Sequence, residues 1–210
     1  MTAVSRRLVL LPLALAGIAL PCLARADTAA EARQPILDLY TGLEKLMRAG
    51  RATPFQTRYE TLAPIVDKGF DLETILRVSV GPRWPMLDEA SRVILTKVFR
   101  QFTIASYVAN FESYDGERFE VLPVPRMSGS NQIVQSRIVA TTGEPIKMDY
   151  VMQRGDTGWR VIDVLLDGSI SRVAVQRSDF RGLLAKGDGS ALIDSLRQKV
   201  TSLSGGMPGS

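Results

Sequence analysis

The 210-residue sequence contains no histidine and a single cysteine, Cys22, and these two shortages remove most familiar catalytic chemistry. A chain without histidine has no Ser-His-Asp or Cys-His nucleophile system, no histidine-based zinc site and no histidine general base. The sequence also has no P-loop and no glycine-rich dinucleotide fingerprint after a strand. We therefore expect no catalytic residue of these types, no metal and no cofactor.

The long apolar run lies at the amino terminus, where Arg6 and Arg7 precede the thirteen residues from Leu8 to Leu20. This run is too short to span a bilayer, which needs about 20 apolar residues. It is followed by an A-x-A sequence that ends at Ala26. The pattern predicts a secretory signal peptide over residues 1–26, removed after Ala26, so the mature protein is expected to be exported.

The net charge of +4 belongs largely to this leader. Three of the 26 basic residues lie in it, which leaves 23 basic against 22 acidic residues. A near-neutral balance gives no electrostatic footprint for nucleic acid, and we expect no such partner. An exported chain without a disulfide depends on its hydrophobic core. We expect one domain over residues 27–204 and a disordered tail over 205–210.

The first half of the mature chain has apolar residues at helical spacing. Gly50 ends the first predicted helix, and Asp71 is expected to cap the third. The apolar arc of the fourth helix is wider than a single contact stripe requires. The predicted helices cover residues 28–49, 54 to about 64, where Pro64 kinks or ends the second, 72–80 and 88–111.

After Asp115-Gly116 the apolar period changes from 3.6 to 2. Short turn signals between the segments favour an antiparallel meander, and residues 182–203 predict closing helices. The fold class is therefore α+β, with N-terminal helices packed on a curved, mainly antiparallel sheet and with C-terminal helices. The predicted strands are 118–124, 132–141, 146–153, 159–166 and 169–176.

The strand 159–166 is apolar on both faces, although an antiparallel strand usually leaves one face wet. One explanation is a central strand covered by helices on each side. The other is that this strand, the wide face of helix 88–111 and the flexible Met148 and Met152 surround an apolar cavity for a lipid tail. Composition leaves both explanations open.

Carboxylates on neighbouring strands offer an enzymatic alternative, with Asp149 and Asp163 as the candidate pair. Asp149 is out of phase with its apolar neighbours, so we expect it to face water. Asp163 lies in an apolar strand and must have a partner, for which Arg172 or Arg177 is the expected choice.

The charged residues after this strand have a simpler architectural explanation. Asp167-Gly168 predicts a hairpin turn, because both residue types tolerate the backbone angles that such a turn needs. Ser178 or Asp179 is expected to cap the following helix. Arg177 is expected to pair with a nearby acid and hold that helix against the sheet.

Three segments carry a family resemblance: FDLETILRVSVGPRW, FRQFTIASYVANF and GWRVIDVLLDGSISRVAVQRSDF. They resemble the toluene-tolerance family of periplasmic lipid-binding proteins, the MlaC-type carriers, over about residues 35–200. The third segment is the most specific, and it has Gln176 where the family has tyrosine. Its form SRVAVQRSDF is similar to the branch associated with hopanoid biosynthesis.

This resemblance implies a periplasmic shuttle that encloses lipid tails between its sheet and helices and is not an enzyme. It implies the solute-binding component of an ABC-type lipid transport system, carrying phospholipid or hopanoid between the inner and outer membranes. Its partners would be the inner-membrane transporter complex and an outer-membrane lipoprotein complex. A small carboxylate-dependent hydrolase and a structural periplasmic subunit without cargo remain the alternatives.

Two sets of side chains are assigned roles on this basis. The expected structural polar residues are Asp163, Arg177 and Asp179. The expected lipid-binding residues, which line the apolar cavity, are Leu76, Phe99, Phe102, Ile138, Met148, Tyr150, Val161 and Val173.

Overall fold

The computed structural model describes residues 22–185 and 187–206, with side chains from residue 28 onward. Most of the predicted signal peptide, and the end of the predicted tail, lie outside the described residues. The helices are α1 (Cys22–Ala49), α2 (Phe55–Gly69), α3 (Leu72–Val80), α4 (Glu89–Asn110), α5 (Arg172–Leu183) and α6 (Ser190–Ser204), with a 3₁₀ helix at Gly81–Met86 between α3 and α4.

The helix boundaries follow the local signals closely. Asp71 caps α3 as predicted, because its carboxylate accepts a hydrogen bond from the Thr74 amide at 3.0 Å. Gly50 ends α1 with a φ of 66°, a conformation that glycine adopts without steric cost. Pro64 was expected to kink or end α2, and the prediction that it ends the helix is wrong. The helix continues to Gly69, because its buried face packs against α1 and α4 on both sides of the proline.

The strands form one antiparallel sheet around the long pair β5 and β6. Strands β3 and β4 pair with the other edge of β5, while β2 pairs with β3, β1 with β4 and β7 with β6. The strands are β1 (Arg118–Val121), β2 (Arg126–Ser128), β3 (Asn131–Val134), β4 (Ser136–Val139), β5 (Ile146–Gly155), β6 (Gly158–Leu166) and β7 (Ile170–Ser171).

The predicted strand 169–176 is wrong beyond Ser171, where the chain enters α5. The Ser171 side chain accepts a hydrogen bond from the Ala174 amide at 2.9 Å and so caps the helix. Ser178 and Asp179 therefore lie inside α5 and do not cap it. The hairpin turn before β7 forms as predicted, with φ of 51° at Asp167 and 72° at Gly168.

A β-bulge in β6 explains why this strand is apolar in both phases. Tyr150 pairs with Val164 and Met152 pairs with Val161, so β6 has one more residue than β5 between these pairs. Because of the extra residue, the side chains at even-numbered positions after the bulge point to the same face of the sheet as those at odd-numbered positions before it. Trp159 and Val161 enter the core before the bulge, whereas Val164 and Leu166 line a cavity after it. One face of the sheet thus receives side chains from both phases.

Helices cover this face of the sheet and supply most of the core. Helix α1 packs on α2 and β6, α4 packs on α2 and α6, and α3 packs on α5. The predicted α+β class, with helices on an antiparallel sheet and C-terminal helices, is confirmed. In the described ranges, no helix is long and apolar enough to cross a membrane. Fully buried core residues include Ile36, Leu39, Leu43, Leu62, Val66, Leu95, Val98, Leu192 and Val200.

Candidate functional site

An apolar cavity of about 310 Å³ lies between the sheet and helices α3, α4 and α5. Helix α4 contributes the largest wall, with residues 99, 102, 103, 106, 107 and 110 in one helical stripe. The bulged strand β6 and its neighbour β5 form the opposite wall. The remaining lining residues are Phe70, Leu72, Ile75, Phe111, Met148, Asp163, Val164, Leu166, Arg172, Val173 and Gln176.

Four of the eight expected lipid-binding residues line this cavity: Phe99, Phe102, Met148 and Val173. The others lie elsewhere in the interior. Leu76, Tyr150 and Val161 are fully buried in the core, and Ile138 is buried where β4 pairs with β1 and β5.

Sequence reasoning missed several lining residues that carried a readable signal. Thr103, Ser106 and Tyr107 follow Phe99 and Phe102 at helical spacing, so the stripe on α4 was visible in the sequence. Because the stripe includes polar residues, the spacing of apolar residues alone did not predict it. Val164 and Leu166 carried no such signal, because the bulge that turns them inward has no pattern of its own in the sequence.

Asp163 binds backbone and hydroxyl donors, and the expectation of an arginine partner was wrong. Its Oδ1 accepts hydrogen bonds from the amides of Val164 at 2.8 Å and Val173 at 3.1 Å. Its Oδ2 accepts one from the Ser171 hydroxyl at 2.5 Å. Because these donors belong to β6 and to the first turn of α5, the carboxylate fastens the start of α5 to the sheet beside the cavity.

Arg177 has a carbonyl partner, so the expected pairing with an acid was also wrong. Its Nε and Nη2 atoms donate to the Val78 carbonyl at 2.9 and 2.7 Å. Beside this contact, one residue later on α3 and one residue earlier on α5, the Ser79 hydroxyl donates to Gln176 Oε1 at 3.1 Å. These contacts hold α5 against α3, and we call the four residues the α3–α5 clasp. Asp179 is exposed on α5.

Asp149 is buried, with only 5 % of its surface exposed, which corrects the expectation that it faces water. It accepts a hydrogen bond from the Ser136 amide at 3.4 Å, and its Oδ2 lies 4.0 Å from Arg126 Nη2. These partners come from β4 and β2, and neither of them contacts Asp163. The two aspartates therefore have separate structural partners instead of sharing one polar cleft. In the part of the chain that the structure describes, no group of three metal-ligating side chains occurs.

One tyrosine of the cavity lining interacts with two tyrosines of the protein interior. Tyr107 lines the cavity, and burial raises its pKa well above the usual range for tyrosine. Burial also raises the pKa of Tyr150 and of Tyr40, whose hydroxyl hydrogen-bonds to that of Ser136 at 2.5 Å. These side chains therefore remain neutral at physiological pH, and the cavity interior carries no tyrosinate charge.

A second, larger groove of about 1,020 Å³ lies between α1, α2 and the β5–β6 turn. Charged pairs line it, with Lys68 Nζ 3.6 Å from Asp38 Oδ2 and Arg154 Nη2 3.5 Å from Glu31 Oε2. An alkyl chain placed there would remove these charged pairs from water, which costs free energy even when the charges remain paired. The smaller cavity is thus the better site for an apolar ligand despite its volume.

Comparisons with known proteins bear on the family and the fold of the chain. Residues 41–198 match the family model described as MlaC protein, which covers most of the chain. The chain belongs to the MlaC family. Seven chains of solved structures match, among them a phospholipid-binding protein from Ralstonia solanacearum that was solved in complex with a phospholipid. That structure shares the MlaC-family fold with a TM-score of 0.70 at 17 % identity, over 84 % of this chain and 98 % of the other. Among curated proteins, none matches the chain.

Proposed function

We propose that this MlaC-family protein is a periplasmic lipid carrier, the solute-binding component of an ABC-type lipid transport system. The observation that carries the proposal is the apolar cavity between the sheet and α3, α4 and α5. The family membership supports it, and so does the similar fold of a protein that binds phospholipid. The cargo would be phospholipid or hopanoid, exchanged with an inner-membrane transporter complex and an outer-membrane lipoprotein complex.

The physical reason for a carrier is the cost of exposing lipid tails to water. At about 0.8 kcal/mol per buried CH₂ group, the transfer of a sixteen-carbon chain from an apolar environment into water costs roughly 12 kcal/mol of free energy. A protein that encloses the chain removes most of this barrier to crossing the periplasm. Such a role needs apolar surface and controlled opening, and it needs no catalytic side chain.

The cavity volume bears on how the cargo enters. At about 310 Å³ it lies at the lower end of the range of about 300 to 1,000 Å³ typical of ligand pockets. A lipid with two chains therefore requires the walls to move apart. The α3–α5 clasp is the element that would yield, since both of its helices line the cavity.

The leader and the domain boundaries are part of the same proposal. Residues 1–26 would direct export and be removed, and residues 27–204 would form the lipid-binding domain. The hopanoid-associated form of the segment SRVAVQRSDF keeps hopanoid among the candidate cargoes.

Native mass spectrometry of the purified mature protein, followed by lipid analysis of an organic extract, tests the carrier role. We expect a mass increment of one lipid per chain that disappears on extraction, and the lipid in the extract at matching stoichiometry. An unrelated exported protein purified in parallel controls for lipid carried over from membranes. A chain that is free of lipid after purification, and that takes up none from vesicles, would contradict the proposal and favour the hydrolase or the structural subunit.

A further inference from the structure

The rim of the cavity carries a cation that the fold itself does not use. Of the lining residues, Asn110 and Arg172 are exposed while the others are buried or half-buried. Arg172 is the first residue of α5, and its guanidinium makes no hydrogen bond or ion pair with the described residues. Arg177 on the same helix does have such a partner, the Val78 carbonyl.

The nearest carboxylate in the lining does not neutralise this cation by direct contact. Asp163 lies in the same wall, but its two oxygens already accept hydrogen bonds from Val164, Ser171 and Val173. The positive charge of Arg172 is felt inside the cavity, because it opposes the rise that burial causes in the pKa of Tyr107. Arg172 therefore belongs to the cavity lining and is open to solvent at its rim.

A second donor stands beside Arg172 on the same face of α5. Gln176 follows at the i,i+4 position, lines the cavity and accepts the Ser79 hydroxyl bond at its Oε1 atom. Its amide Nε2 group is left as a donor. The rim thus combines a guanidinium fork and an amide N–H₂ group above an apolar interior, which matches a ligand with an apolar tail and an anionic head.

We propose that Arg172 makes this carrier selective for lipids with an anionic headgroup, by binding the headgroup phosphate or carboxylate while the tail lies in the cavity. The inference rests on the proposed carrier function and adds a residue that determines its specificity. A neutral lipid with the same tails gains nothing from the cation. A planar guanidinium binds two oxygens of one phosphate, so the interaction is directional as well as electrostatic.

A competition experiment with the mature protein tests this proposal. Delipidated protein is equilibrated with mixed vesicles that contain phosphatidic acid and diacylglycerol with identical acyl chains, and bound lipids are counted by native mass spectrometry. We expect the wild-type protein to prefer phosphatidic acid by about tenfold, and Arg172→Gln to lose most of this preference while it still binds diacylglycerol. Arg181→Gln, an exposed arginine on α5 outside the cavity lining, is the matched control and is expected to keep the preference.

Further measurements of the same preference identify the group that Arg172 binds. The preference is expected to fall at high salt, because the site is partly open to solvent, and Arg172→Lys is expected to retain part of it. Millimolar inorganic phosphate is expected to compete weakly, since it lacks the tail. An equal preference in wild type and Arg172→Gln would overturn the proposal, and so would full displacement by inorganic phosphate, which would indicate a site for the free ion. Failure to bind either lipid would instead contradict the carrier function as well.

Discussion

At the scale of single residues, Asp163 shows how one carboxylate in an apolar strand can serve architecture. A charged group half-buried beside a cavity is costly unless it has strong hydrogen-bond donors. Asp163 receives two backbone amides and a hydroxyl, all from the segments that bring α5 to the sheet. Its position in the cavity wall is therefore explained without a catalytic role.

Replacing Asp163 with asparagine is expected to destabilise the fold. The substitution weakens charge-assisted bonds to the Val164 and Val173 amides and places an N–H₂ group beside donors, so we expect the free energy of unfolding to fall by about 1–3 kcal/mol. Denaturant titration of the mature protein measures the change. Asp179→Asn, on the exposed side of α5, is the control and should stay within about 0.5 kcal/mol of wild type. Equal stability of the two variants would contradict the assigned role of Asp163.

At the scale of elements, helix α5 connects the sheet to α3 and supplies part of the cavity wall. Asp163 fixes its first turn, and the α3–α5 clasp fixes its middle. The clasp consists of a few hydrogen bonds, and those of Arg177 lie at the surface. We expect cargo to enter and leave where these two helices separate.

Arg177→Gln is expected to accelerate lipid release. The substitution removes the paired donors to the Val78 carbonyl, which costs about 1 kcal/mol at this exposed position and favours separation of α5 from α3. Transfer of a fluorescent lipid from loaded protein to acceptor vesicles measures the rate, which we expect to rise several-fold. Arg181→Gln on the same helix is again the control. An unchanged release rate, with loading equal to wild type, would show that the clasp does not limit exchange.

Sequence patterns predicted some elements well and failed at others for a physical reason. The helices α1 to α4 followed from apolar spacing and from Gly50 and Asp71, because these signals act within a few residues. The start of α5 at Arg172 did not follow, because it depends on the Asp163 carboxylate eight residues before Ser171. The buried state of Asp149 depends on Ser136 and Arg126 from two other strands.

The lining residues of the cavity were predictable where they lie on regular elements and were not predictable after the bulge in β6. Phe99 and Phe102 were found because α4 is regular, and Met148 because the apolar residues of β5 recur at every second position in the sequence. Val164 and Leu166 were not found, because the bulge opposite Val151 and Met152 changes the facing of β6. A bulge is set by the pairing of two strands, which a single segment of sequence does not reveal.

At the scale of the whole molecule, the protein has a cavity and a groove with different linings. The cavity between the sheet and α3, α4 and α5 is apolar inside with polar groups at its rim, whereas the lining of the groove between α1 and α2 includes two ion pairs. The carrier proposal requires lipid tails to lie in the first and not in the second.

Site-specific photo-crosslinking distinguishes lipid tails in the cavity from lipid tails in the groove. A photoreactive phenylalanine analogue is placed at Phe102 in the cavity or at Ile65 in the groove, both half-buried, and the lipid-loaded protein is irradiated. Mass spectrometry then measures the covalent lipid adduct at each position. We predict an adduct at position 102 and none above background at position 65, whereas equal adducts at both positions, or an adduct at position 65 alone, would contradict the account.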